Sequence, residues 1–131
     1  MSGRRLRPCP DKPNCVSTQS TDPAKRMPAL GFEDEVEPVR TAILDVLART
    51  PRARVVEVEA EGDYIHAEFT TLVFRFVDDV EFSIDPDAKR VDFRSASRVG
   101  HSDLGTNRRR MRTLCRRLEG RAGLLRLSSA G

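Results

Sequence analysis

Residues 64–70 read Tyr64-Ile65-His66-Ala67-Glu68-Phe69-Thr70, and residues 90–98 read Arg90-Val91-Asp92-Phe93-Arg94-Ser95-Ala96-Ser97-Arg98. Both alternate with a period of two, as a strand does when one face is buried. In the first, Ile65, Ala67 and Phe69 alternate against Tyr64, His66 and Glu68. In the second, Val91, Phe93, Ser95 and Ser97 oppose Asp92, Arg94, Ala96 and Arg98. The same period covers Arg54 to Ala60, before a Glu61-Gly62-Asp63 turn. It also covers a stretch holding Phe74, Phe76 and Val80 or Phe82, with Asp78-Asp79 as the place for a bulge. Asp85-Pro86-Asp87 turns the chain into the last strand.

On either side the spacing becomes helical. Val36, Val39, Ile43, Val46 and Leu47 form one stripe over residues 35–49, ended by Thr50-Pro51. Leu104, Met111, Leu114, Cys115 and Leu118 form another, with Ser102 or Asp103 as N-cap and Gly120 as stop. The order is helix, four strands, helix. Short connections predict an α+β domain: a four-stranded antiparallel sheet flanked by two helices on one face. Residues 1–32 hold five of the eight prolines and read as an irregular arm lying across the domain. The single domain spans 33–120, and 121–131 reads as a frayed tail.

With 131 residues, the chain fits one domain. Its net charge of +3 is unevenly placed. Residues 1–30 carry six Lys/Arg against two acids, 31–102 nine against sixteen, and 103–131 eight against two. An acidic sheet between basic ends points to internal pairing. With no Trp and one Tyr, stacking platforms for nucleic acid are scarce, and no recognition motif appears. The arginines of the last helix therefore read as solvated. No apolar run exceeds three residues, so no transmembrane helix or signal peptide is expected, and the default compartment is the cytoplasm.

Polar density peaks at residues 74–82 and 94–110. If strands three and four pair, Asp78, Asp79 or Glu81 reach Arg94 or Arg98. That arrangement fits a salt-bridge ladder or a polar pocket. Around the start of the second helix, Ser102, Asp103, Asn107 and Arg108 stand near Arg98 and suit an anion site or local capping. The candidate ligand-binding set is thus Arg94, Ser95, Ser97, Arg98, Ser102, Asp103, Asn107 and Arg108. His66, Asp78 and Asp79 are the acid–base candidates if the protein is instead a small hydrolase or isomerase with an Arg clamp. Cys9 and Cys15 are a disulfide candidate or ordinary thiols. No spacing supports a metal site, and no cofactor is expected.

Cys9-Pro10-Asp11-Lys12-Pro13-Asn14-Cys15, the His66 strand, Phe74 to Phe82, and Arg94 to Arg108 together resemble the DUF1499 family of small bacterial and plastid proteins. The resemblance runs from about residue 8 to about 118 and implies no activity. It singles out the Pro-Asn-Cys element, His66, Glu68, Asp78, Asp79, Arg94, Ser95, Ser97, Arg98, Asp103, Asn107 and Arg108. Many members carry an export signal or membrane segment, and in an exported protein a Cys9–Cys15 disulfide is favoured. The reading that follows is a non-catalytic binding or accessory domain. Its partner is a small anionic ligand or a protein carboxylate, with the arm bringing Asn14 and Cys15 near the site. A structural or assembly protein is the third class.

Overall fold

The computed structural model describes residues 5–59, 63–99 and 105–127. Its elements in order are β1 (Cys15–Ser17), β2 (Leu30–Gly31), α1 (Val36–Ala48), β3 (Ala53–Val58), β4 (Tyr64–Thr70), β5 (Val77–Asp85), β6 (Arg90–Ser97), α2 (Thr106–Leu118), a 3-10 turn (Arg121–Gly123) and β7 (Leu125–Arg126). The α+β architecture and the antiparallel sheet are as the periodicity requires. The strand count is not: the sheet has seven strands, ordered β3-β4-β5-β6-β2-β7, with β1 also on β6.

The four long strands form the expected meander. The three short ones come from the arm and the tail. β1 pairs Cys15, Val16 and Ser17 with Ala96, Ser95 and Arg94, and β2 pairs Leu30 and Gly31 with Val91 and Arg90. Both lie along the edge of β6 that would otherwise be open. Thr18 bridges the gap between them. Its N–H donates to the Phe93 carbonyl at 3.0 Å, and the Phe93 N–H donates to the Thr18 hydroxyl at 3.1 Å. β7 then pairs with β2. Segments of two or three residues are too short to show a period, so alternation could not reveal them. The prolines around β1 and β2 read as an irregular arm, and the stretch holding β7 reads as a frayed tail.

Two further boundaries move. Phe74 and Phe76 are not in a strand; they sit in the loop between β4 and β5, and both are exposed. The loop closes on Thr71, whose N–H donates to the Phe76 carbonyl at 2.8 Å and whose hydroxyl accepts the Phe76 N–H at 2.9 Å. Arg75 takes a φ of 59° at its tip. β5 begins only at Val77. The N-cap of α2 is Gly105, with a φ of 80°, rather than Ser102 or Asp103. Those two residues lie outside the described ones.

One core joins everything. Val39, Ile43, Val46 and Leu47 of α1 and Met111, Leu114, Cys115 and Leu118 of α2 pack on Ile65, Ala67, Phe69, Val80, Phe82, Ile84, Val91 and Phe93. Pairing places Phe82 opposite both Ile65 and Phe93, and Ile84 opposite Val91, so these side chains share the helix face of the sheet. Burying a Leu, Ile or Phe side chain contributes roughly 1.5–3 kcal/mol. Among the described residues no helix is long and apolar enough to cross a membrane.

Candidate functional site

Strand alternation sends neighbouring polar residues to opposite faces. On the helix face, the row Asp78, Ser95 and Ser97 continues the apolar row Val80, Phe82 and Phe93. Asp78 is buried and receives the Arg110 guanidinium at 2.6 Å. Arg110 also donates to Asn107 Oδ1 at 2.8 Å and to Ser95 Oγ at 3.2 Å, and it stacks 4.9 Å from the Phe69 ring centroid. Asn107 is fully buried. It accepts from the Ser95 hydroxyl at 2.5 Å and donates through Nδ2 to the Ser97 hydroxyl at 3.0 Å and the Asn14 carbonyl at 3.1 Å. The Ser97 N–H donates to the same Asn14 carbonyl at 3.0 Å. Asn14 is held there by a Cys9–Cys15 disulfide, which closes a loop with a sequence separation of 6. Asp78 Oδ1 is buried and has no hydrogen-bond partner among the described residues.

The far face carries a different network. His66 Nε2 and Asp79 Oδ1 are 2.8 Å apart. Arg98 donates to both Asp79 oxygens at 2.8 Å and to Glu68 Oε2 at 2.6 Å, and Arg54 donates to Glu68 Oε1 at 3.1 Å. These contacts shift the groups as expected. Hydrogen bonds from Arg98 and then Arg54 hold the Glu68 carboxyl below its ordinary value of 4.5. Burial pushes Asp79 upward, but Arg98 and His66 outweigh it and the net shift is below 3.8. The Arg98 guanidinium is raised by Asp79 and then Glu68. Deeper on this face, Tyr64 donates to Glu81, and Glu81 accepts from Arg94 at 3.3 Å. Arg94 also reaches the Pro8 carbonyl of the arm at 3.5 Å. Burial, with Arg7 adding repulsion, lowers the Arg94 guanidinium against the opposing pull of Glu81.

The sequence-nominated residues are therefore not one site. Ser95, Ser97, Asp78 and Asn107 meet on the helix face. Arg94, Arg98, His66 and Asp79 lie on the other face. Arg108 leaves both and donates to the Ala24 and Arg26 carbonyls at 2.7 and 3.4 Å, tying α2 to the arm. Ser102 and Asp103 fall outside the described residues. Arg110, which organises the helix-face cluster, was hidden in sequence within the run Arg108-Arg109-Arg110. Helical spacing offers its only signal: it lies one position before Met111 and three after Asn107. Among the described residues no group of three His, Cys, Asp or Glu side chains is placed to hold a metal ion.

Next to the helix-face cluster a cleft of about 680 Å³ opens between the β4–β5 loop and α2. Leu72, Val73, Phe74, Phe76 and Val99 form its apolar wall. Asp78, Ser97, Arg110 and Phe69 contribute to its lining, with Arg109, Thr113 and Arg117 from α2 and Arg52, whose carbonyl accepts the Thr70 N–H at 3.0 Å, at the foot of the loop. Arg117 donates to the Thr50 hydroxyl at 2.9 Å. Among the described residues, neither Arg117 nor Arg52 has a carboxylate partner. Cys115, on the core side of α2, is buried, and burial followed by Glu119 pushes its thiol up to about 12.

The family described as Protein of unknown function (DUF1499) matches residues 5–118 of the chain. No curated protein and no solved structure matches it.

Proposed function

Given that the chain belongs to the DUF1499 family, whose description assigns no activity, we propose that it is a non-catalytic binding domain whose cleft takes a small anionic amphiphile. One observation carries the reading. The cleft combines an apolar wall, from Leu72 to Phe76, with Arg52 and Arg117, which have no carboxylate partner among the described residues. Its volume lies in the range of small-ligand sites. The apolar wall takes the hydrocarbon body, and the two guanidinium groups take the charged end.

The far-face groups favour binding over catalysis. His66, Asp79, Glu68 and Arg98 are engaged with one another. A hydrolase or isomerase needs such groups turned toward a substrate cavity. The Cys9–Cys15 disulfide favours an oxidising compartment over the cytoplasm.

Titration of isotope-labelled protein with dodecanoate below its micelle concentration tests the reading. The expected result is saturable amide shifts at residues 71–76 and 106–117. Acetate, which lacks the chain, leaves them in place, and dodecanol, which lacks the charge, binds more weakly. Arg117→Gln weakens dodecanoate by about tenfold, the worth of one charge-assisted hydrogen bond. Shifts that fail to saturate, or that acetate reproduces, overturn it.

A further inference from the structure

The loop between β4 and β5 has an outward surface as unusual as the cleft it walls. Leu72, Val73, Phe74 and Phe76 are 67%, 77%, 73% and 48% exposed within five consecutive residues. A lone exposed Leu is ordinary on a protein surface; a contiguous cluster marks an interaction site. The cluster is also preformed. Phe74 and Phe76 stack with ring centroids 5.5 Å apart, and the Arg75 N–H donates to the Thr71 carbonyl at 3.2 Å, adding to the two bonds that close the loop on Thr71. An apolar tip fixed in an exposed position costs little further ordering when it binds.

We propose that this loop docks the protein on an anionic lipid bilayer surface. Charge selects that occupant. Residues 70–77 contain no acid, Arg75 stands at the loop tip, and Arg52 and Arg117 flank the cleft mouth. Among the described residues these three arginines form no ion pair. Among the described residues the one carboxylate lining the cleft, Asp78, is buried against Arg110. An apolar wedge rimmed by cations matches the boundary between acyl chains and anionic headgroups. A second copy of the chain fits this face poorly, because a two-fold contact would set the arginines against one another. The docking goes beyond ligand binding in the cleft and does not require it.

Co-sedimentation of the full chain with vesicles decides the matter. Three parts phosphatidylcholine to one part phosphatidylglycerol are compared with phosphatidylcholine alone. The protein is expected to pellet with the anionic vesicles, and less so as salt rises. Val73→Asp, on a solvent-facing side chain, lowers the partition coefficient at least tenfold. Arg75→Glu, outside the cleft lining, lowers it by at least about fivefold, the worth of one basic group at such a surface. Its dodecanoate titration stays within twofold of the parent. Equal partition to both vesicle types, or Val73→Asp pelleting like the parent, overturns the docking. So does a solution dimer that Val73→Asp converts to monomer. Loss of dodecanoate binding with vesicle binding intact removes only the cleft reading, and the reverse removes only this one.

Discussion

Asp78 and Asp79 are consecutive carboxylates on one strand, each paired with an arginine, and almost everything else about them differs. Asp78 faces the helices, with 2% of its side chain exposed, and its partner Arg110 is 11% exposed. Asp79 faces outward at 14%, and its partner Arg98 is 46% exposed. The inner pair belongs to a buried network with Asn107, Ser95 and the Asn14 carbonyl. The outer pair is one rung of a ladder running from Arg54 to His66. The same chemistry thus becomes an architectural joint on one face and a solvated surface on the other. Dielectric environment separates them: solvent screens the outer pair far more than the inner one, whose carboxylate is 2% exposed.

Replacing the inner carboxylate is expected to give the largest effect. Asp78→Asn keeps the shape and leaves the partly buried Arg110 guanidinium without its counter-charge. A loss of about 3–5 kcal/mol follows, as for other buried pairs deprived of one member. In a chain of this size the melting temperature falls by more than about 10 °C. The double variant Asp78→Leu/Arg110→Met recovers most of that loss, because removing both charges removes the desolvation cost as well. A denaturant titration of parent, single and double variants checks both statements. If the double variant is no more stable than Asp78→Asn, the inner pair contributes through specific geometry rather than through compensated charge.

The disulfide links the two faces and comes next in size. It fixes Asn14, whose carbonyl receives Asn107 on the inner side. It also anchors the chain beside Pro8, whose carbonyl receives Arg94 on the outer side. Cys9→Ser/Cys15→Ser is expected to cost about 2 kcal/mol from loop-closure entropy alone. Amide shifts should follow at residues 94–97 and at 107. The native chain should yield no reactive thiol, because Cys115 is buried with its thiol pushed up to about 12. The denatured, unreduced chain should yield one. Two more thiols without reduction would show that the bridge is not formed.

What the sequence revealed of this arrangement follows from length and period. Strands of six to nine residues announce themselves by alternation, and the alternation assigned Ser95 and Ser97 to one face and Arg94 and Arg98 to the other. The acid–arginine pairing across β5 and β6 was legible as a set, since opposite charges stood at compatible positions. The period of two sends Asp78 and Asp79 to opposite faces, and that divides the set into two sites. The edge strands were invisible because two or three residues carry no period. The exposed loop is hidden from the sequence for a different reason. Phe74 and Phe76 alternate as strand residues do, and only the hydrogen bonds to Thr71 show that the chain curls there. Arg110 sat among equivalent arginines, and its burial depends on where α2 lies against β5.

The outer pair should give the smallest effect, and its pH dependence identifies it. Asp79→Asn removes two hydrogen bonds from Arg98 and one contact with His66, all partly solvated. The expected loss is well below that of Asp78→Asn. Because Asp79 has its folded pKa below the ordinary 3.8, its ionised form stabilises the fold at neutral pH. That contribution is complete above the unfolded value and disappears as pH falls through the lower folded one. The difference in melting temperature between parent and Asp79→Asn should therefore be present at neutral pH and shrink as the pH falls below the ordinary 3.8 and through the lower folded value. Raising salt should shrink it too, since an exposed pair is screened, while the Asp78→Asn difference should hardly move. A salt-insensitive Asp79→Asn loss as large as that of Asp78→Asn would show that the two faces do not differ as their exposure implies. The outer network would then have to be treated as a second buried joint.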